Sequence, residues 1–80
     1  MESLTVTFLQ SHNVRFNVEV IKGETFSDVK ANLRNRFPEL RNEPFELIYN
    51  GEILEDTTEA YEIVRLATVI RLRVARRADV

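Results

Sequence analysis

Apolar and polar residues alternate through "LTVTFL", with Leu4, Val6 and Phe8 on one side of an extended chain. That period of two marks a strand with one buried face. "VRFNVEV" repeats the pattern at Val14, Phe16, Val18 and Val20, and the intervening "QSHN" has turn composition, so the pair predicts a hairpin. The period then changes. In "KGETFSDVKANLRNRF" the apolar residues Phe26, Val29, Leu33 and Phe37 recur at helical spacing. Thr25, followed three residues later by Asp28, supplies a capping-box start. Pro38 cannot continue the helix and restricts Phe37, which places the helix end near Arg36. One charge, Lys30, falls on the apolar face between Val29 and Leu33, and a buried ammonium needs a partner.

"PELRNEP" reads as a loop and "FELIY" as a strand, with Phe45, Leu47 and Tyr49 inward and Glu46 and Ile48 outward. Asn50-Gly51 suits a tight turn, because both residues tolerate positive φ. "EIL" follows as a short strand, and "TTEAYEIVRL" as a connection with one helical turn. "VIRLRV" is the last strand, with Ile70, Leu72 and Val74 inward and Arg71 and Arg73 outward. Two registers are open for it, and a slip of one residue moves every side chain to the other face. The register that keeps the arginines in water is preferred, because burying even one costs several kcal/mol. "ARRADV" has the character of a frayed tail. The order strand, strand, helix, strand, short strand, strand predicts an α+β domain, with one helix across one face of a mixed sheet.

Eighty residues suffice for one small domain. A chain of this size buries roughly 60% of its unfolded surface. With no cysteine the apolar core alone must hold it. The net charge of -2 conceals two blocks. Glu39 to Glu62 holds eight acids against one base, Arg41, whereas Val64 to Ala78 holds five arginines and no acid. Such blocks are either solvated faces or a charged docking surface. No apolar run approaches the ~20 residues of a membrane span, and the start lacks a signal-peptide pattern. The expected location is therefore cytoplasmic or nuclear, away from membrane. The initial Met and the ragged end suggest the first module of a larger protein.

Chemistry is sparse. His12 is alone in a turn, Glu55 and Asp56 are sequence neighbours and not an acid–base pair, and Gly23 and Gly51 form no phosphate-cradling loop. Neither a metal-ligand cluster nor a nucleophile with its base can be picked out. The expectation is a non-enzyme without cofactor, metal or small-molecule substrate. Nucleic acid is not an expected partner either, since the net charge is negative and the arginine strand has no aromatic for base stacking.

"ETFSDVKANL", "LIYNGEILED", "AYEI" and "RLRV" occur in the order and at the distances of ubiquitin and the ubiquitin-like domains. The chain resembles that family from about Leu4 to Val74, most specifically in "LIYNGEILED". The resemblance implies a β-grasp fold: a mixed four- to five-stranded sheet with one main helix packed across one face. It implies a domain over residues 1–75 and a flexible tail over 76–80. The first hairpin turn is longer than ubiquitin's, and the segment from Asp56 to Tyr61 is shorter. By the same resemblance Lys30 pairs with Asp56, Gly51 serves the turn, and Tyr61 braces a turn through its hydroxyl. Conjugated relatives end in Gly-Gly, but no glycine follows Gly51 here, so the non-conjugated type is expected.

Ubiquitin docks partners through an apolar patch on its open sheet face. Here Ile48 takes the central place, Leu9 the hairpin member, and Arg71 and Arg73 flank them. The expected role is a monomeric interaction module for ubiquitin-binding helices, proteasome receptors, or ligase and segregase components. Acidic flanks on those partners suit the arginines. The alternative is a scaffold that polymerises head to tail through its acidic (39–62) and basic (65–77) surfaces.

Overall fold

The computed structural model describes residues 2–42 and 44–74. The tail over 76–80, with Arg76 and Arg77, lies outside the described residues, as does the expected boundary at residue 75.

Strands β1 (Ser3–Leu9) and β2 (Arg15–Ile21) form the first hairpin. Helix α1 (Phe26–Arg36) follows, then a short 3-10 turn at Pro38–Leu40, β3 (Phe45–Tyr49), β4 (Glu52–Ile53), helix α2 (Ala60–Val64) and β5 (Val69–Val74). The five strands make one sheet in the order β2-β1-β5-β3-β4. β1 and β5 run parallel at its centre, and every other neighbouring pair is antiparallel. The inward residues of the hairpin, among them Val6, Phe8, Phe16 and Val18, meet Phe26, Val29 and Leu33 of α1 in a single core with Leu47, Ile70 and Leu72. This is the α+β, β-grasp arrangement.

Alternating side chains decide which residues reach the core. β5 pairs with β3 so that Leu72 lies opposite Leu47 and Arg71 opposite Ile48. Ile70 and Leu72 are buried, and Arg71 and Arg73 are exposed. The sheet thus keeps both guanidinium groups in water.

The start of α1 is tied to the segment after β4. The Asp28 carboxylate accepts from the Thr25 backbone N–H at 3.0 Å and from its hydroxyl at 3.3 Å. The Phe26 and Ser27 N–H groups donate to the carbonyls of Thr58 and Asp56, each at 3.0 Å. Two donors that a helix start leaves without intrahelical partners are satisfied in this way. Pro38 stops the helix, and Phe37 turns to extended backbone, its ring meeting Phe16 edge-on at 4.8 Å.

Two residues depart from the pattern reading. Val14 has core parity but is 37% exposed. The ladder ends at Leu9–Arg15, and the Gln10 N–H reaches the Val14 carbonyl at 3.0 Å, so Val14 belongs to the turn beyond the sheet. Tyr49 is only partly buried, because it occupies the last position of β3, opposite exposed Glu52. Tyr61 lies in α2, the helical turn expected within this connection. That helix begins at Ala60, whose N–H is held by the Glu24 carbonyl at 2.9 Å.

A candidate docking surface on the open sheet face

The face of the sheet away from α1 is built by cross-strand pairing. Arg15 lies opposite Leu9, Leu9 opposite Arg71, Arg71 opposite Ile48, and Ile48 opposite Ile53. Paired residues point to the same side, so these five side chains form one row across all five strands. Strand spacing of about 4.8 Å puts Leu9 and Ile53 roughly 14 Å apart, with Arg71 and Ile48 between them.

The turn after β3 sets the row's outer end. Asn50 and Gly51 both adopt positive φ, 54° and 78°, as a two-residue type I′ connection requires. That connection pairs Tyr49 with Glu52 and so Ile48 with Ile53. Val69, two residues before Arg71, faces the same side beside Thr7. Ile53 and Val69 are 53% and 57% exposed, and Leu9 and Ile48 are partly buried. An open groove of about 430 Å³ lies on this face, lined by Leu9, Ile48, Tyr49, Val69 and Arg71 together with the turn residues Asn50 and Gly51.

The two outward arginines of β5 differ. Arg73 is engaged: its Nη2 and Nε donate to Glu46 Oε1 at 2.7 and 3.3 Å. Arg71 makes no ion pair among the described residues and stands in the middle of the apolar row. Of the four residues taken from the sequence as docking residues, Leu9, Ile48 and Arg71 share one row. Arg73 lies beyond that row, with its charge already answered. Elsewhere on this face polar side chains pair among themselves: the Thr7 hydroxyl donates to Asn17 Oδ1 at 2.7 Å, and the Ser3 hydroxyl to Glu19 Oε2 at 2.8 Å.

Ile53 and Val69 were not in the sequence-derived set. Parity in the last strand points to Val69. The register of a two-residue turn at Asn50-Gly51 gives Ile53 as the neighbour of Ile48. Both signals were present in the sequence.

The remaining site residues lie elsewhere. Lys30 Nζ is 2.8 Å from Asp56 Oδ1, the lysine side chain 14% and the aspartate 60% exposed. Their backbones converge at the same place, through the Ser27–Asp56 hydrogen bond. The Tyr61 ring packs against the core, with Lys22 Nζ 5.9 Å from its centroid. Among the described residues its hydroxyl has no side-chain hydrogen bond. Its place in the structure is that of a packing residue.

The open face brings together apolar contacts, two guanidinium groups, Arg15 and Arg71, that make no ion pair among the described residues, and a shallow concavity, which suits binding another protein segment. No curated protein matches the chain. A family profile does: the one described as DSC E3 ubiquitin ligase complex subunit 3, ubiquitin-like domain, matches residues 2–79. The chain belongs to that family of ubiquitin-like domains.

Proposed function

We propose that this domain docks a protein partner of an E3 ubiquitin ligase complex through the open sheet face. Membership of the family supports the ubiquitin pathway, and the row Leu9–Arg71–Ile48–Ile53 supports the choice of surface. The observation that carries the reading is Arg71, a guanidinium that makes no ion pair among the described residues and stands between two apolar side chains. Its complement is an amphipathic segment that places one carboxylate over Arg71 and apolar groups against Ile48, Ile53 and Val69. Arginine holds a carboxylate bidentately, and hydrogen bonds to charged groups contribute about 1.5–3 kcal/mol. The apolar contacts add about 25 cal/mol for each Å² covered.

The test is a titration of isotope-labelled domain with an acidic amphipathic ubiquitin-interacting helix. Amide signals of Leu9, Ile48, Ile53, Val69 and Arg71 should move together. Arg71→Gln and Ile48→Ala should each weaken binding about tenfold, which corresponds to 1.4 kcal/mol. Arg73→Gln should change it much less, because Glu46 already holds that guanidinium. If these amides stay put at millimolar helix, the docking reading is wrong. If Arg73→Gln weakens binding as much as Arg71→Gln, the assignment of the carboxylate to Arg71 is wrong.

A further inference from the structure

Nine of the basic side chains are arginines and only two, Lys22 and Lys30, are lysines. The distinction matters in a ligase complex. A lysine amine accepts ubiquitin once it is neutral, whereas a guanidinium stays protonated and does not. The docking row contains Arg15 and Arg71 and no lysine. Lys30 is 14% exposed and bonded at 2.8 Å to Asp56, so its amine can reach a reagent only by leaving that carboxylate and the face of α1.

Lys22 is placed differently. Its side chain is 55% exposed, in the turn just after β2 and beside Gly23, which adopts a φ of 103°. The adjoining pair, Ile21 and Ser3, closes the end of the β1–β2 hairpin opposite the Leu9–Arg15 pair. Six residues of strand at about 3.3 Å each separate the two ends by roughly 20 Å. A segment seated on the row leaves Lys22 uncovered.

We propose that Lys22 is the single lysine of this domain that accepts ubiquitin, and that it does so from outside the docking face. The inference rests on the domain's working beside ubiquitin-transfer enzymes, not on the identity of the docked segment. In the reaction the neutral Lys22 Nζ attacks the thioester carbonyl joining the ubiquitin C-terminus to a conjugating enzyme's cysteine. The C–N isopeptide bond forms, the C–S bond breaks, and the cysteine leaves as thiolate, which takes up the proton that the attacking nitrogen sheds. The ammonium proton passes first to a base on the enzyme. Glu2 Oε2, 3.1 Å from Nζ, slows that loss, since its hydrogen bond and charge raise the Lys22 pKa above the ordinary lysine value.

The test uses activating enzyme, ATP, ubiquitin and a conjugating enzyme that discharges onto free lysine. Substrates are the wild-type domain, Lys22→Arg and Lys30→Arg, with the adducts mapped by peptide mass. Wild type and Lys30→Arg should give the same adduct on Lys22, and Lys22→Arg should lose at least nine-tenths of it. Folding of each variant is checked by its amide spectrum. An adduct forming as fast on Lys30 or on the α-amine overturns the proposal. So does the absence of any adduct while a control lysine protein is modified. Lys22→Arg should also bind the acidic helix as wild type does. A wild-type domain that binds the helix but takes no adduct on Lys22 therefore sinks this inference alone, and one that takes the adduct but does not bind the helix sinks the docking reading alone.

Discussion

Lys30 sets a charge where an apolar side chain could pack. It lies on α1 between two core residues, Val29 and Leu33, and only its ammonium end emerges to meet Asp56. Asp56 is 60% exposed, so water screens the pair from one side. Its net value should sit near that of an exposed bridge, about 1 kcal/mol, and below the 3–5 kcal/mol lost on breaking a fully buried pair. Lys30→Met keeps the apolar stem and sheds the desolvation cost, so its loss should be small. Asp56→Asn leaves the ammonium without a counter-charge and should cost more, about 1–2 kcal/mol. A double-mutant cycle followed by urea unfolding should give a coupling of about 0.5–1 kcal/mol. Coupling indistinguishable from zero would mean that the contact adds nothing to stability. The lysine's conflict with its apolar neighbours could be seen in the sequence. The carboxylate that resolves it came from the family resemblance, because a partner 26 positions away leaves no local trace. The Glu46–Arg73 pair escaped notice for the same reason: parity shows that both face outward but not that β3 and β5 are neighbours.

At the scale of elements, the β3–β4 hairpin joins fold to surface. Its turn holds Ile53 beside Ile48, so a change there acts on the docking row without touching it. A Cβ on Gly51 would meet nothing within 4 Å, so the cost of Gly51→Ala is the backbone's alone. At a φ of 78° that cost is about 1–2 kcal/mol, and Gly51→Asn should lose less, since asparagine tolerates the left-handed region. Urea unfolding of both variants checks the order, and equal stability of Gly51→Ala and wild type would contradict the turn geometry. The same hairpin shows what a one-dimensional pattern can carry. Strand periods, the capping box, Pro38 and Asn50-Gly51 are local features, and each has its structural counterpart. Val14 and Tyr49 misled because a period of two continues past the last ladder pair. Burial stops where the neighbouring strand and the helix stop.

At the scale of the molecule, the acidic and basic blocks are far apart only along the chain. β3 and β5 pair, which brings Glu46 to Arg73, and α2 brings Glu62 Oε1 to Arg65 Nη1 at 3.4 Å. Charge that could have linked one molecule to the next is partly spent inside each one. Head-to-tail growth needs an acidic surface and a basic surface that are both free and separate. Here the blocks adjoin, and Arg71, which makes no ion pair among the described residues, sits among apolar side chains on the docking row. The domain should therefore remain a single chain in solution. Light scattering from micromolar to millimolar concentration tests this most severely at about 10 mM salt, where the screening length reaches about 30 Å and attraction between opposite charges is strongest. A constant mass supports a monomeric docking module. A mass that climbs with concentration at low salt and collapses at about 1 M, where screening falls to about 3 Å, would make the charge blocks an assembly device. Arg71 would then be a contact between copies of this chain, and Arg71→Gln would stop the growth. On the docking reading the same substitution leaves the mass unchanged and weakens only the acidic helix, so one variant separates the two.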